Sequence, residues 1–201
     1  MDSQHLPLLM MMTFLLIIIL GRVAFQFIWV GDSGVRSGTR LRTKKEMFIS
    51  FLMFGVVGVQ ALLAWLYATS RLKPQLELGA LSVGFGLTLC IIGIAFSSYA
   101  QYKMGKEWRI GIDPDEKTEL VTTGIYKLIR NPIYTGCIVH GTGLIILAPH
   151  LLFLITGVVG YFAIRAYVKD IEEPYLIEIH GDNYRQYLSQ TGSFFPRFKG
   201  G

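Results

Sequence analysis

Residues 130–134 read Arg-Asn-Pro-Ile-Tyr. Asn is a favoured helix N-cap and Pro suits the first helical turn, so Asn131-Pro132 marks a helix start. The free N–H groups and positive dipole of that turn, with Arg130 beside them, favour a ligand carboxylate or phosphate. The same run also fits a capped membrane helix with a snorkelling Arg. A second cluster joins Arg165, Lys169, Glu172 and Glu173; on one helix 165, 169 and 172 or 173 lie along a single stripe. Its carboxylates suit an ammonium or sulfonium and its cations a carboxylate, although an interfacial ion-pair ladder has the same composition. His140 has Gly136 and Gly143 on its own helical face, a pattern of close helix packing.

Other chemistries lack their residues. His5, His150 and His180 form no metal constellation, and no metal is expected. Gly84-Phe85-Gly86 lies inside an apolar helix and follows no strand. There is no Ser nucleophile elbow, phosphate loop or HExxH. Cys90 and Cys137 both lie in apolar runs and read as small core residues.

The elements that must position these residues are membrane helices. The chain has 201 residues, 52% hydrophobic and 16% charged, against roughly one quarter charged in an ordinary soluble domain. Apolar runs occupy about 6–30, 47–68, 78–100, 133–148 and 151–168. The first three are long enough to cross a bilayer alone, and the last two form a tight hairpin around Pro149-His150. The first run lacks a basic start and is too long for a signal core, so it is expected to be retained. The expectation is one all-α domain over 1–201: a polytopic membrane bundle of five transmembrane helices, a cytosolic cofactor-binding loop and a C-terminal amphipathic helix.

Charge gives the orientation. Arg36, Arg40, Arg42, Lys44 and Lys45 follow the first run. Lys103, Lys106, Arg109, Lys117, Lys127 and Arg130 follow the third, and Lys169, Arg185, Arg197 and Lys199 follow the fifth. The opposite side carries Arg71 and Lys73. The positive-inside rule puts the N-terminus outside and the C-terminus in the cytoplasm. The net charge of +5 is then a topology signal, with anionic-lipid contact. Nucleic-acid binding is not expected, because no basic patch alternates with exposed aromatics. Loop 101–131 carries Trp108, Leu120, Val121, Ile125 and Tyr126, too apolar for simple disorder. In 170–190, Leu176, Ile179, Tyr184, Tyr187 and Leu188 share one side, giving an amphipathic helix broken near Gly181. It lies on the bilayer or folds back over the bundle.

Leu120-Val121-Thr122-Thr123-Gly124-Ile125-Tyr126, followed by Arg130-Asn131-Pro132-Ile133-Tyr134-Thr135-Gly136, resembles the isoprenylcysteine carboxyl methyltransferase family. So do Glu172-Glu173, Leu176, Gly181, Tyr184, Tyr187 and Phe195-Pro196, and so does Gly105 with Trp108. The resemblance covers roughly residues 99–198. It implies S-adenosyl-L-methionine-dependent methyl transfer to a lipid-borne acceptor, foremost the carboxylate of a prenylated cysteine. Cofactor contacts carried over by position fall on Thr118, Glu119, Leu120, Val121, Tyr126, Arg130, Asn131, Pro132 and Ile133. Glu173 holds the methionine portion. The cofactor region becomes about 101–135 with 165–198.

Two departures stand out. Asn131 replaces the family's His, and Val168 stands where the family places a substrate-orienting Arg, leaving Arg165 or Lys169 to substitute. Arg165, Lys169, Glu172 and Glu173 are therefore the expected catalytic group, with Glu172 as base if the acceptor is an amine. Phospholipid or small-amine N-methylation is the alternative implied by a similar C-terminal pattern, and a sterol-reductase-like oxidoreductase or a non-enzymatic membrane protein stands further off. The compact chain leans towards a prokaryotic membrane rather than the endoplasmic reticulum. Membrane lipids are the expected surroundings, and oligomeric state has no signature in the sequence.

Overall fold

The structure is a computed structural model describing residues 3–35, 43–111 and 119–197. The described residues are helical, with isolated bridges Val35–Ile110 and Ile129–Gly192 and no strand. The first apolar run is α1 (Leu6–Phe14), a π-helical stretch Leu15–Gly21 and α2 (Arg22–Val30). α3 (Lys44–Ala68) opens on a capping box: Thr43 Oγ1 accepts from the Glu46 N–H at 3.2 Å, and Glu46 Oε2 accepts from the Thr43 N–H at 3.1 Å. α4 is Ala80–Met104. α5 (Pro132–Leu147) and α6 (Leu151–Tyr167) form the expected hairpin.

Four helical runs are long and apolar enough to cross a membrane: Ser3–Val30, Lys44–Ala68, Ala80–Glu107 and Leu151–His180. Their outward faces carry large exposed apolar side chains, such as Ile28, Phe51, Leu81 and Phe162. That composition suits lipid and not water, and the chain is an integral membrane protein. The fourth apolar run behaves differently. α5 has 16 residues, about 24 Å at 1.5 Å per residue, against about 30 Å of hydrocarbon. It is a short helix held within the bundle.

α5 is held by glycines. A Cβ on Gly93 of α4 would stand 2.5 Å from the His140 backbone nitrogen. One on Gly136 would stand 2.7 Å from the Gly93 carbonyl oxygen, and one on Gly143 would stand 2.6 Å from that of Gly86. The two backbones are in direct contact, as Gly136 and Gly143 suggest in sequence. His140 is buried there, stacked on Phe14 at 4.5 Å between ring centres.

The C-terminal part departs from the expected layout. α6 does not stop at residue 168. It continues through a π-helical turn, Val168–Glu172, into α7 (Glu173–His180). The apolar part, 151–168, measures about 27 Å. The chain breaks at Gly181, where φ is +56°, and α8 (Asp182–Gln190) folds back. α8 buries Tyr184 and Tyr187 against the bundle.

Candidate functional site

Residues 191–194 lie along the start of α5 like a strap. The Arg130 N–H donates to the Gly192 carbonyl at 2.9 Å and the Asn131 N–H to that of Ser193 at 3.0 Å. Thr135 Oγ1 donates to the Phe194 carbonyl at 2.8 Å. Asn131 occupies the N-cap position, but its side chain makes no cap. Its Nδ2 donates instead to Ser193 Oγ at 3.2 Å and to the Ser193 carbonyl at 3.3 Å. The capping expectation is corrected for a tertiary reason: the strap offers acceptors that the side-chain amide takes.

Arg130 ties three elements together. Its guanidinium pairs with Glu173 Oε1 at 3.1 Å and donates to the carbonyls of Leu188, at 3.2 Å, and Thr191. Its Nε is buried with no partner. Tyr126 is 2% exposed. Its hydroxyl donates to the Ala100 carbonyl at 3.2 Å, while its own carbonyl accepts from Tyr187 Oη at 2.5 Å. On the other side, buried Arg22 donates to the Gly105 carbonyl, and Gln26 Nε2 donates to that of Lys106 at 2.9 Å. These bonds fix the turn after α4 that presents Glu107, Trp108 and Arg109.

These elements enclose a cavity of about 660 Å³, within the range of small-molecule and cofactor sites. Its mouth is lined by Glu107, Trp108, Arg109, Glu119, Leu120, Val121 and Tyr126, beside Arg130, Asn131, Pro132 and Ile133. Tyr134, Glu172, Tyr184 and Tyr187 line it as well. An apolar arm runs on between α3, α5 and α6, past Met53, Val57, Ile138, Ile145 and Gly157. Gln60 is its buried polar member on α3.

The expected catalytic stripe is broken up. Arg165 and Lys169 are exposed and do not line the cavity, whereas Glu172 does. The helix passes through a π turn at Val168–Glu172, so the unbroken 3.6-residue period that a single stripe assumes does not hold there. Tyr134 Oη donates to Glu172 Oε1 at 2.7 Å. Glu173 is outside the lining and faces Arg130.

Of the expected cofactor contacts, Glu119, Leu120, Val121, Tyr126, Arg130, Asn131, Pro132 and Ile133 all border the one cavity. Thr118 lies outside the described residues. The cavity also gathers residues not singled out as contacts: Glu107, Trp108, Tyr134, Tyr184 and Tyr187. Tyr184 and Tyr187 could have been read from their i, i+3 spacing, and Trp108 as a lone aromatic in a polar loop. Glu107 carried no such signal; its carboxylate accepts from the Glu119 N–H at 2.9 Å.

The residues present fit a sulfonium amino acid nucleoside. Arg130 has an unpartnered Nε, a donor suited to a carboxylate. Glu119 and Glu172 supply negative charge for an ammonium and a sulfonium. Trp108, Leu120, Val121 and Tyr126 give apolar and aromatic wall for a base.

The comparisons with known proteins fall on the same region. Protein-S-isoprenylcysteine O-methyltransferase B of Arabidopsis thaliana is 29% identical over 114 residues, 56% of this chain and 58% of that protein. Methanethiol S-methyltransferase 1 of Bradyrhizobium diazoefficiens is 36% identical over 94 residues, 46% of this chain and 29% of that protein. A probable protein-S-isoprenylcysteine O-methyltransferase of Oryza sativa subsp. japonica is 25% identical over 113 residues, 55% of this chain and 59% of that protein. The likeness thus spans little more than half the length of the isoprenylcysteine relatives and less of the Bradyrhizobium one. The phospholipid methyltransferase family profile matches residues 81–183, from α4 to the first turn of α8. With that match over half its length, the chain belongs to the phospholipid methyltransferase family.

Proposed function

We propose that this chain transfers a methyl group from S-adenosylmethionine to a membrane-borne acceptor. The observation that carries the reading is a cavity with polar and aromatic lining on the loop side and apolar lining between α3, α5 and α6. Arg130 and Glu173 would hold the methionine portion, and Trp108, Leu120, Val121 and Tyr126 would enclose the nucleoside. The bound cofactor supplies an electrophilic methyl group on a sulfonium. The protein's part is to orient the acceptor, exclude water and match charge. The apolar arm keeps an acceptor's hydrocarbon body in a lipid-like setting while its nucleophile meets the mouth. The orientation proposed from charge places the mouth in the cytoplasm, with the prokaryotic cell membrane as the proposed location.

Similarity suggests three acceptors. The isoprenylcysteine relatives point to a prenylated cysteine carboxylate, the family description to a phospholipid or small amine, and the Bradyrhizobium relative to a thiol. The first needs a cation beside the reacting oxygen, and the two proposed for that task, Arg165 and Lys169, lie exposed.

The test is equilibrium binding of labelled S-adenosylmethionine to the purified protein in detergent. Saturable binding is expected, weakened about 10- to 100-fold in Arg130→Ala by loss of a charged hydrogen-bonding group. No binding to the wild type, or equal binding to the variant, overturns the assignment of this site.

A further inference from the structure

Gln60 is a polar side chain in an apolar place. It stands on α3 within one turn of the middle of the apolar run 47–68. It is 9% exposed and lines the cavity. Its amide makes no hydrogen bond among the described residues. An unpartnered amide is costly to bury, and polar side chains kept at membrane depth are expensive and tend to serve function. We infer that Gln60 is a recognition residue: it binds an uncharged oxygen, hydroxyl or carbonyl, carried on the acceptor's hydrocarbon body about 18 Å from the reacting end. The inference deepens the methyl-transfer reading above and rests on it for calling the ligand an acceptor.

The packing of α3 on α6 gives the depth. Ile49 packs with Tyr167 and Ile171. A Cβ on Gly160 would stand 3.1 Å from Val56 Cγ1, and one on Gly157 would stand 4.0 Å from Gln60 Nε2. The two helices therefore run antiparallel, with Gln60 level with Gly157. The same Cβ on Gly157 would stand 2.7 Å from Ile145 Cδ1 of α5, so Ile145 marks this level on the third wall. Ile133, at the mouth, and Ile145 both line the cavity from α5. Their separation along the helix is about 18 Å at 1.5 Å per residue. Glycine at 157 leaves the space beside the amide open.

The chemistry of the ligand follows from what else is there. Among the described residues, the charged groups lining the cavity are Glu107, Arg109, Glu119, Arg130 and Glu172. All lie before α5 or after α6 in the chain, so a charged group at the level of Gln60 would have no counter-ion. Thr142 of α5 also lines the cavity, but its hydroxyl donates to the Ile138 carbonyl at 2.9 Å. A primary amide offers two N–H donors and a carbonyl acceptor. A carbonyl oxygen can accept from it, and a hydroxyl can both accept and donate. A plain hydrocarbon end would leave the amide unsatisfied, at a cost to binding.

The experiment uses the purified full chain in detergent with two neutral probes of equal length, methyl 16-hydroxyhexadecanoate and methyl hexadecanoate. The tritiated hydroxy ester is bound and then displaced by each unlabelled ester. Wild type is expected to prefer the hydroxy ester by about three- to tenfold, the worth of one hydrogen bond. Partition into micelles is common to wild type and variants, so it cancels when their preferences are compared. Gln60→Leu is expected to bring the preference to about one, with binding of labelled S-adenosylmethionine unchanged. Gln60→Met, an unbranched apolar replacement, is expected to do the same. Because the amide has no partner within the protein, neither ligand-free variant is expected to unfold at a lower temperature than wild type. Equal displacement by the two esters in wild type, or a preference that survives both substitutions, overturns the inference and leaves the methyl-transfer reading in place. A lower unfolding temperature in both variants points to an amide that serves packing and overturns it as well. Failure of the wild type to bind S-adenosylmethionine overturns the methyl-transfer reading and with it the acceptor assignment.

Discussion

At the scale of single residues, the site depends on two carboxylates, neighbours in sequence, with different surroundings. Glu173 sits beside a guanidinium. Glu172 accepts from the Tyr134 hydroxyl at 2.7 Å and borders the cavity. Glu172 and Glu173 were visible in sequence as a pair with chemical potential, but which one faces the cavity was not. A π turn, Val168–Glu172, lies there, and stripe arithmetic assumes an unbroken 3.6-residue period. Asn131 misled in a similar way: its capping propensity is local, whereas the Ser193 strap that claims its side chain comes 62 residues later.

At the scale of elements, the α4–α5 contact sets where Tyr134 and Pro132 stand. Gly93→Ala would place a methyl carbon 2.5 Å from the His140 backbone nitrogen, and backbone cannot step aside as a side-chain tip can. The two helices must separate, at a cost of about 1–3 kcal/mol or more. A lower unfolding temperature is expected, with weaker cofactor binding as α5 shifts. Gly79→Ala, at a site with nothing within 4 Å of the new methyl, is the control expected to leave both unchanged. Gly181 is the other element-scale joint, where φ of +56° suits glycine and turns α8 back over the bundle. Gly181→Val is expected to unseat Tyr184 and Tyr187 from the cavity, and faster proteolysis after residue 181 reports that loss. Both joints were legible: Gly136 and Gly143 by their spacing around His140, Gly181 as a break in an amphipathic pattern. The unbroken passage from α6 into α7 was not, because charges at Lys169-Asp170 read as the end of a span although the helix runs on to His180.

At the scale of the whole molecule, the five apolar runs and the all-helical bundle were written in composition alone, since apolar stretches of that length have few other stable homes. The short reach of α5 needed the structure: 16 residues read as a span until its neighbours are seen to be longer. The basic loops then predict the orientation. A reporter that is active only in the cytoplasm is expected to work when fused after Gly201 and to fail before Met1; the reverse pattern would place the mouth of the cavity on the wrong side for a cytosolic cofactor.

The most direct measurement is a structure of the protein with S-adenosylhomocysteine, the methyl-transfer product that keeps the cofactor's shape. The account predicts the nucleoside between Trp108 and Tyr126, the amino acid portion beside Arg130 and Glu173, and the sulfur directed towards Glu172. Ligand density anywhere outside that cavity, or none at saturating concentration, would contradict it.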